Sequence, residues 1–323
     1  MAQRLGIGVG DTVAIYSPAS INTPVVSVAA WLVGASAVAI PPETNATELH
    51  HLVIHLHSLS TLFVAQAQLP AVARLLALLR VPSHQHPTIV AMDGVGRSPP
   101  QPADVTLQDL YSARRGEAPF GREPLTLNGA QDHIAVIYSQ FTRSNSGRIT
   151  GATTVPMSHA TVINHYYNSQ QQEPLPNRRA RRYPLVYSVL RFHYAYQLHR
   201  IIFNIFSRGG AYLVASSFDP AEFVVLVHDY QLECAELTSS EIRHLIEFLG
   251  ARDLNERHGP PSGQAPSPSR NLSIAEMLHP LRFIYSDTQE PELARRLGEL
   301  LPHVELVRAR NCSYLEAFER PRR

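Results

Sequence analysis

The 323-residue chain is poor in cysteine, with two, and in tryptophan, with one. Cys234 and Cys312 stand far apart and set no disulfide framework, so the expectation is a reducing compartment. Charge is scarce and balanced. Only 17% of residues are Asp, Glu, Lys or Arg, and the formal net charge is +1. No global field gathers nucleic acid or a membrane surface. Long apolar runs are missing too. Val25 to Ile40 comes nearest, but Ser27, Gly34 and Ser36 break it, so no membrane span is expected. Met1 to Asp11 holds no apolar core of a secretion signal. Arg320-Pro321-Arg322-Arg323 is no peroxisomal address. A cytoplasmic protein is the resulting expectation. At 44% hydrophobic the composition is globular, and the length suits about two domains.

Strand-like and helical stretches alternate along the chain. Thr12–Tyr16, Ala37–Ile40, Thr61–Ala65 and Thr88–Met92 read as strands. Pro24–Val33, Thr47–His57 and Leu69–Leu79 read as helices between them. Gly94–Asp104 and Arg114–Gln131 read as loops. His133–Tyr138 is a further strand, Ser139–Thr154 a polar irregular loop, and Ser158–Tyr167 a helix capped by Ser158. A second series begins near Tyr183. Its helices are Tyr194–Phe206, Pro220–Tyr230, Ser239–Leu249 and Glu290–Leu301. Its strands are Ala211–Ala215, Glu233–Leu237, Leu281–Tyr285 and Val304–Val307. Asp219 caps one helix, with Pro220 at its first position. The polar, Pro- and Ser-rich stretch Arg252–Asn271 reads as disordered. Alternation of this kind implies βαβ units with mainly parallel sheets. The fold class is α/β, with two subdomains over 1–130 and 131–323 meeting at a cleft.

Gly6-Ile7-Gly8-Val9-Gly10-Asp11-Thr12-Val13-Ala14-Ile15, Ala30 to Ala35 with Pro41, and Phe218-Asp219-Pro220-Ala221-Glu222-Phe223 follow one another at a telling spacing. With His133 to Ser139 and Leu281 to Ser286, they resemble landmarks of the adenylate-forming superfamily, in the manner of acyl-CoA synthetases and coumarate–CoA ligases. The resemblance implies ATP-dependent activation of a small carboxylic acid. ATP and Mg2+ would serve the first half-reaction, and CoA would accept the acyl group. The alternative is a non-catalytic pseudoenzyme that keeps the fold as a binding or scaffold protein.

The family's phosphate loop reads Y-[ST]-S-G-[ST]-T-G-x-P-K-G, followed by [ST]-H. Here Tyr138-Ser139 is followed by a longer segment without the Pro-Lys pair, and the exit Ser158-His159 is intact. Two readings stand side by side. Ser139, Thr142, Ser144 and Arg148 hold the phosphates, or the segment is a solvated loop that has lost that role. His193, in Phe192-His193-Tyr194, corresponds to the aromatic–His pair at the mouth of the acyl pocket, although Tyr183–Tyr187 competes for that alignment. Glu316, in Asn311 to Glu316, corresponds to the glutamate near magnesium, with Leu315 where the family has threonine. Ser286-Asp287-Thr288 replaces a small-residue turn. The family's small C-terminal catalytic domain has no counterpart, so a truncated, incomplete enzyme is expected, with uncovered apolar surface that favours self-association.

Two other groupings read as surface features. His50, His51, His55 and His57 share one helix, and His51 and His55 have zinc-ligand spacing, but no third ligand is evident. Arg178 to Arg182 is a basic run that reads as a solvated linker.

Overall fold

The computed structural model describes residues 2–18, 20–56, 58–79, 86–93, 101–112, 134–143, 149–161, 164, 185–189, 210–215, 217–258, 273–286, 288 and 290–308. Of these, 2–3, 112, 134–143, 149–155, 252–258 and 308 are described by their backbone.

The first unit is built on a seven-stranded sheet. Its strands are β1 (Thr12–Tyr16), β2 (Ser36–Ile40), β3 (Leu59–Val64), β4 (Thr88–Ala91), β5 (Val105–Thr106), β6 (Ile134–Arg143) and β7 (Ile149–Ser158). They lie in the order β5-β4-β3-β1-β2-β6-β7. Every pairing is parallel except β6 with β7. β1 is buried along its whole length, as a central strand covered on both faces must be. One face packs against α2 (Asn22–Leu32) and α5 (Leu107–Ser112), through Val13, Ile15, Val26, Ala30, Phe63 and Leu107. A short helix, α1 (Ala2–Leu5), lies beside them. The other face packs against α3 (Ala46–His55) and α4 (Leu69–Leu78), through Tyr16, Val38, Leu49, Leu52, Leu62, Val72 and Leu75.

Local chemistry sets these boundaries. The Asn45 side chain accepts from Thr47 N and Glu48 N, each at 3.0 Å, and Glu48 Oε2 accepts from Asn45 N at 2.9 Å. That reciprocal cap starts α3. Gly34, just past the Val33 cap of α2, has φ +80°. A Cβ there would stand 2.7 Å from Val9 Cγ2, so only glycine fits the turn and the close approach. Tyr16 is buried at the end of β1 and donates its hydroxyl to Thr44 O, which ties the strand to the start of α3.

The second unit holds a five-stranded, wholly parallel sheet in the order β12-β11-β10-β8-β9. Its strands are β8 (Leu185–Ser188), β9 (Ala211–Val214), β10 (Cys234–Glu236), β11 (Phe283–Ser286) and β12 (Glu305–Arg308). Its described helices are α6 (Pro220–Tyr230), α7 (Ser239–His258), α8 (Ile274–Leu278) and α9 (Pro291–Leu300). Asp219 caps α6 by accepting from Ala221 N at 2.8 Å. All four helices pack on one face of the sheet, through Phe223, Val227, Ile242, Leu245, Leu278, Leu293 and Leu297 against Tyr187, Ala235 and Ile284.

The fold class and both parallel series match the sequence expectation, but four details differ. Ser139–Thr154 is not an irregular loop, because β6 and β7 run through most of it. That hairpin extends the first sheet, so the sheets part after residue 158 and not at 130/131. Residues 252–258 are helical, the last part of α7. The pair β5–α5 and the short helix α8 were not anticipated. The expected loop Arg114–Gln131 and helix Tyr194–Phe206 lie outside the described residues.

Candidate nucleotide and acid site

The parallel strands of the first sheet end on one edge, at Tyr16, Ile40, Val64 and Ala91. β6 is parallel to β2, with Ala37 opposite Val136 and Val38 opposite Ile137. It therefore leaves the sheet at the carboxyl edge, where open α/β sheets bind ligands. In that register Ile40, the last residue of β2, is level with Ser139. Beyond this point the described ladder joins β6 to β7 alone. Ser139 faces Thr154, Gln140 faces Thr153, Phe141 faces Ala152, Thr142 faces Gly151 and Arg143 faces Ile149.

A phosphate-wrapping loop needs backbone N–H groups turned toward the ligand, and glycine makes that cheap. Gln140 to Arg143 contains no glycine, and Ile149, Thr150, Thr153, Thr154 and Val155 favour strand. The two halves close on each other, and antiparallel pairing engages their N–H and C=O groups across the ribbon. Ser139 and Thr142 lie on β6. Ser144, Arg148, His193 and Glu316 lie outside the described residues, as do Asp287 and the segment Asn311–Leu315.

The exit of the segment keeps its expected form. β7 ends at Ser158, and Ser158 Oγ accepts from Thr161 N at 3.2 Å, capping the helical turn that carries His159. At the turn after β11, Ser286 Oγ accepts from Thr288 N at 3.2 Å and Thr288 Oγ1 accepts from Glu290 N at 3.3 Å. Both Ser286 and Thr288 are buried, so this turn is a self-satisfied entry to α9.

One signal went unread in the sequence. All 28 basic side chains among Lys and Arg are arginine, and the 323 residues contain no lysine. No ammonium side chain within them could stand at the phosphate loop or serve adenylate formation. The zipped hairpin and the missing lysine do not fit a bound triphosphate. Among the described residues no three His, Cys, Asp or Glu are placed to hold a metal ion. The zinc-spaced pair His51 and His55 is exposed on α3. No described helix is long and apolar enough to cross a membrane.

The second sheet has a polar end that sequence reasoning also missed. Glu236, the last residue of β10, is 7% exposed and accepts a hydrogen bond from Tyr212 Oη at 2.8 Å. Its register partner on β8 is Ser188, which is wholly buried and whose Oγ has no hydrogen-bond partner among the described residues. On the opposite, helix-covered face Tyr187 stacks edge-on against Phe223 at 4.9 Å, and burial, then Glu241, pushes its hydroxyl pKa up.

No curated protein sequence matches this chain. Many solved structures share its fold. A luciferase-like enzyme from the nonluminescent mealworm Zophobas morio superposes with a TM-score of 0.69 at 14% identity, covering 94% of this chain and 60% of its own. A putative long-chain-fatty-acid CoA ligase from Rhodopseudomonas palustris gives 0.63 at 18% identity, covering 94% and 63%. A long-chain-fatty-acid-CoA ligase from Archaeoglobus fulgidus gives 0.67 at 16%, covering 94% and 53%. The chain thus spans about three fifths of the length of the first structures it matches. The family model described as AMP-binding enzyme matches residues 1–309, and the chain belongs to that family.

Proposed function

We propose that this chain is a carboxylic-acid-binding member of the AMP-binding family whose grip on ATP is weak, so that it does not form acyl-adenylate by itself. The observation that carries the reading is the β6–β7 ladder, which runs out to Arg143 and Ile149 across the segment that resembles the phosphate loop. The lack of any lysine supports it. Phosphoryl chemistry relies on fixed positive charge and N–H donors around the phosphates, and the described strands of the hairpin pair their backbones with each other.

The second reading is an active acid–thiol ligase, with ATP, Mg2+ and CoA as the family uses them. Family membership over residues 1–309 and the retained Ser158 cap before His159 favour it. In that case Arg148 would take over the phosphate charge. Acid-dependent release of pyrophosphate from ATP–Mg2+, measured over a panel of acids with the purified chain, separates the two. The first reading expects none above background. Turnover that disappears in Arg148→Ala would establish the second.

A further inference from the structure

A groove of about 590 Å³ lies at the amino edge of the second sheet. Three connections meet there. α6 ends at Tyr230 ahead of β10, α8 ends at Leu278 ahead of β11, and α9 ends at Leu300 ahead of β12. Every described lining residue comes from these helices or from the links to those strands. The volume is that of an ordinary small-molecule site. The edge is the one opposite the carboxyl ends, where open α/β sheets usually bind ligands.

Leu300 and Leu301 give the groove an apolar wall, and His228, Glu276, His279 and His303 give it polar groups. The rings of His279 and His303 stack at 6.0 Å with 21° between their planes, a flat surface for a flat ligand. Fixed acceptors set the protons of two imidazoles. His303 Nε2 lies 3.1 Å from Leu278 O, and a carbonyl only accepts, so Nε2 carries the proton. His228 Nδ1 lies 3.1 Å from Asp229 Oδ1, and a carboxylate only accepts, so Nδ1 carries the proton. In the neutral rings His303 Nδ1 and His228 Nε2 are then lone-pair acceptors. Neither atom has a partner among the described residues.

The remaining electrostatics has one sign. α6 and α9, of 11 and 10 residues, bring the partial negative charge of their carboxyl ends to the groove. Glu276 adds a full negative charge. Its Oε2 accepts from Ser273 N at 2.8 Å in the cap of α8, and its Oε1 has no partner among the described residues. No arginine is among the described lining residues, and the 323 residues hold no lysine. The histidines and Glu276 are not placed to hold a metal ion. Acceptors and negative charge beside an apolar wall call for an organic cation.

We infer that this groove binds a primary ammonium carried on a flat aromatic body. Glu276 supplies the counter-charge, and the imidazole lone pairs of His228 and His303 accept ammonium hydrogens. The aromatic body covers Leu300 and Leu301 and stacks on the His279–His303 pair. The inference does not depend on the acid-binding reading above.

The test is calorimetric titration of the full chain with phenethylamine and with two matched probes. Phenethyl alcohol keeps the ring and lacks the charge, and butylamine keeps the charge and lacks the ring. The expected result is at least about tenfold tighter binding of phenethylamine than of either probe. Glu276→Gln removes the charge, and glutamine at that position still closes the capping box of α8. Glu276→Gln and His228→Phe should each weaken phenethylamine about threefold or more and leave phenethyl alcohol unchanged. If neither variant folds, the comparison of the three probes on the unsubstituted chain still decides. No binding of phenethylamine, equal or tighter binding of either probe, or an affinity unchanged in both variants would overturn the inference. Each of these results leaves the acid-binding reading as it stood.

Discussion

Arg143 and Ile149 face each other at the outer end of the described β6–β7 ladder. A loop that encloses a triphosphate needs open backbone on both sides of the phosphates. Here the described pairing runs from Ser139 with Thr154 out to Arg143 with Ile149.

Opening that ribbon should restore nucleotide binding. Replacing residues 140–150 with the family's Gly-rich sequence ending in P-K-G, and leaving Ser158-His159 in place, is expected to raise ATP affinity by about tenfold or more. The readout is ATP titration of both forms. An unchanged affinity would mean that the closed ladder is not the obstacle.

Alkaline pH should destabilise the first unit through Tyr16. Burial first, and then Glu48 and Glu43, pushes its pKa from 10.0 up to about 12. Its neutral form is the one the fold accepts. Stability from this group is therefore fully present below pH about 10 and is lost as pH rises toward the folded value. Denaturation midpoints should fall over that window, and Tyr16→Phe should flatten the fall. A midpoint equally pH-dependent in Tyr16→Phe would assign the effect elsewhere.

Two substitutions probe the two cores. Asn45→Ala removes the cap from α3 and should cost about 1 kcal/mol. Phe223→Ala empties a fully buried position and should cost about 3–5 kcal/mol. Urea unfolding followed by circular dichroism measures both. A cost below about 1 kcal/mol for Phe223→Ala would mean that this ring is not central to the second core.

Much of the fold was legible because local signals agreed with tertiary packing. β1 and α6 have the bounds that Thr12–Tyr16 and Asp219-Pro220 announce. The hairpin was not legible, because the segment was matched to a loop pattern while its own β-branched residues argued for strand. α8 carried a readable signal, the capping box Ser273-Ile274-Ala275-Glu276, masked by the Pro- and Ser-rich stretch before it. Glu236 escaped notice because β10 has only three residues and shows no periodicity. Its placement depends on register with β8, which no local pattern encodes.

We propose that the phosphate segment of this AMP-binding chain is closed against ATP. Calorimetric titration of the purified chain with ATP–Mg2+ tests it most directly. No measurable heat is expected at micromolar nucleotide, and at best weak binding at millimolar nucleotide. Saturable one-to-one binding in the micromolar range, lost in Arg148→Ala, would contradict it.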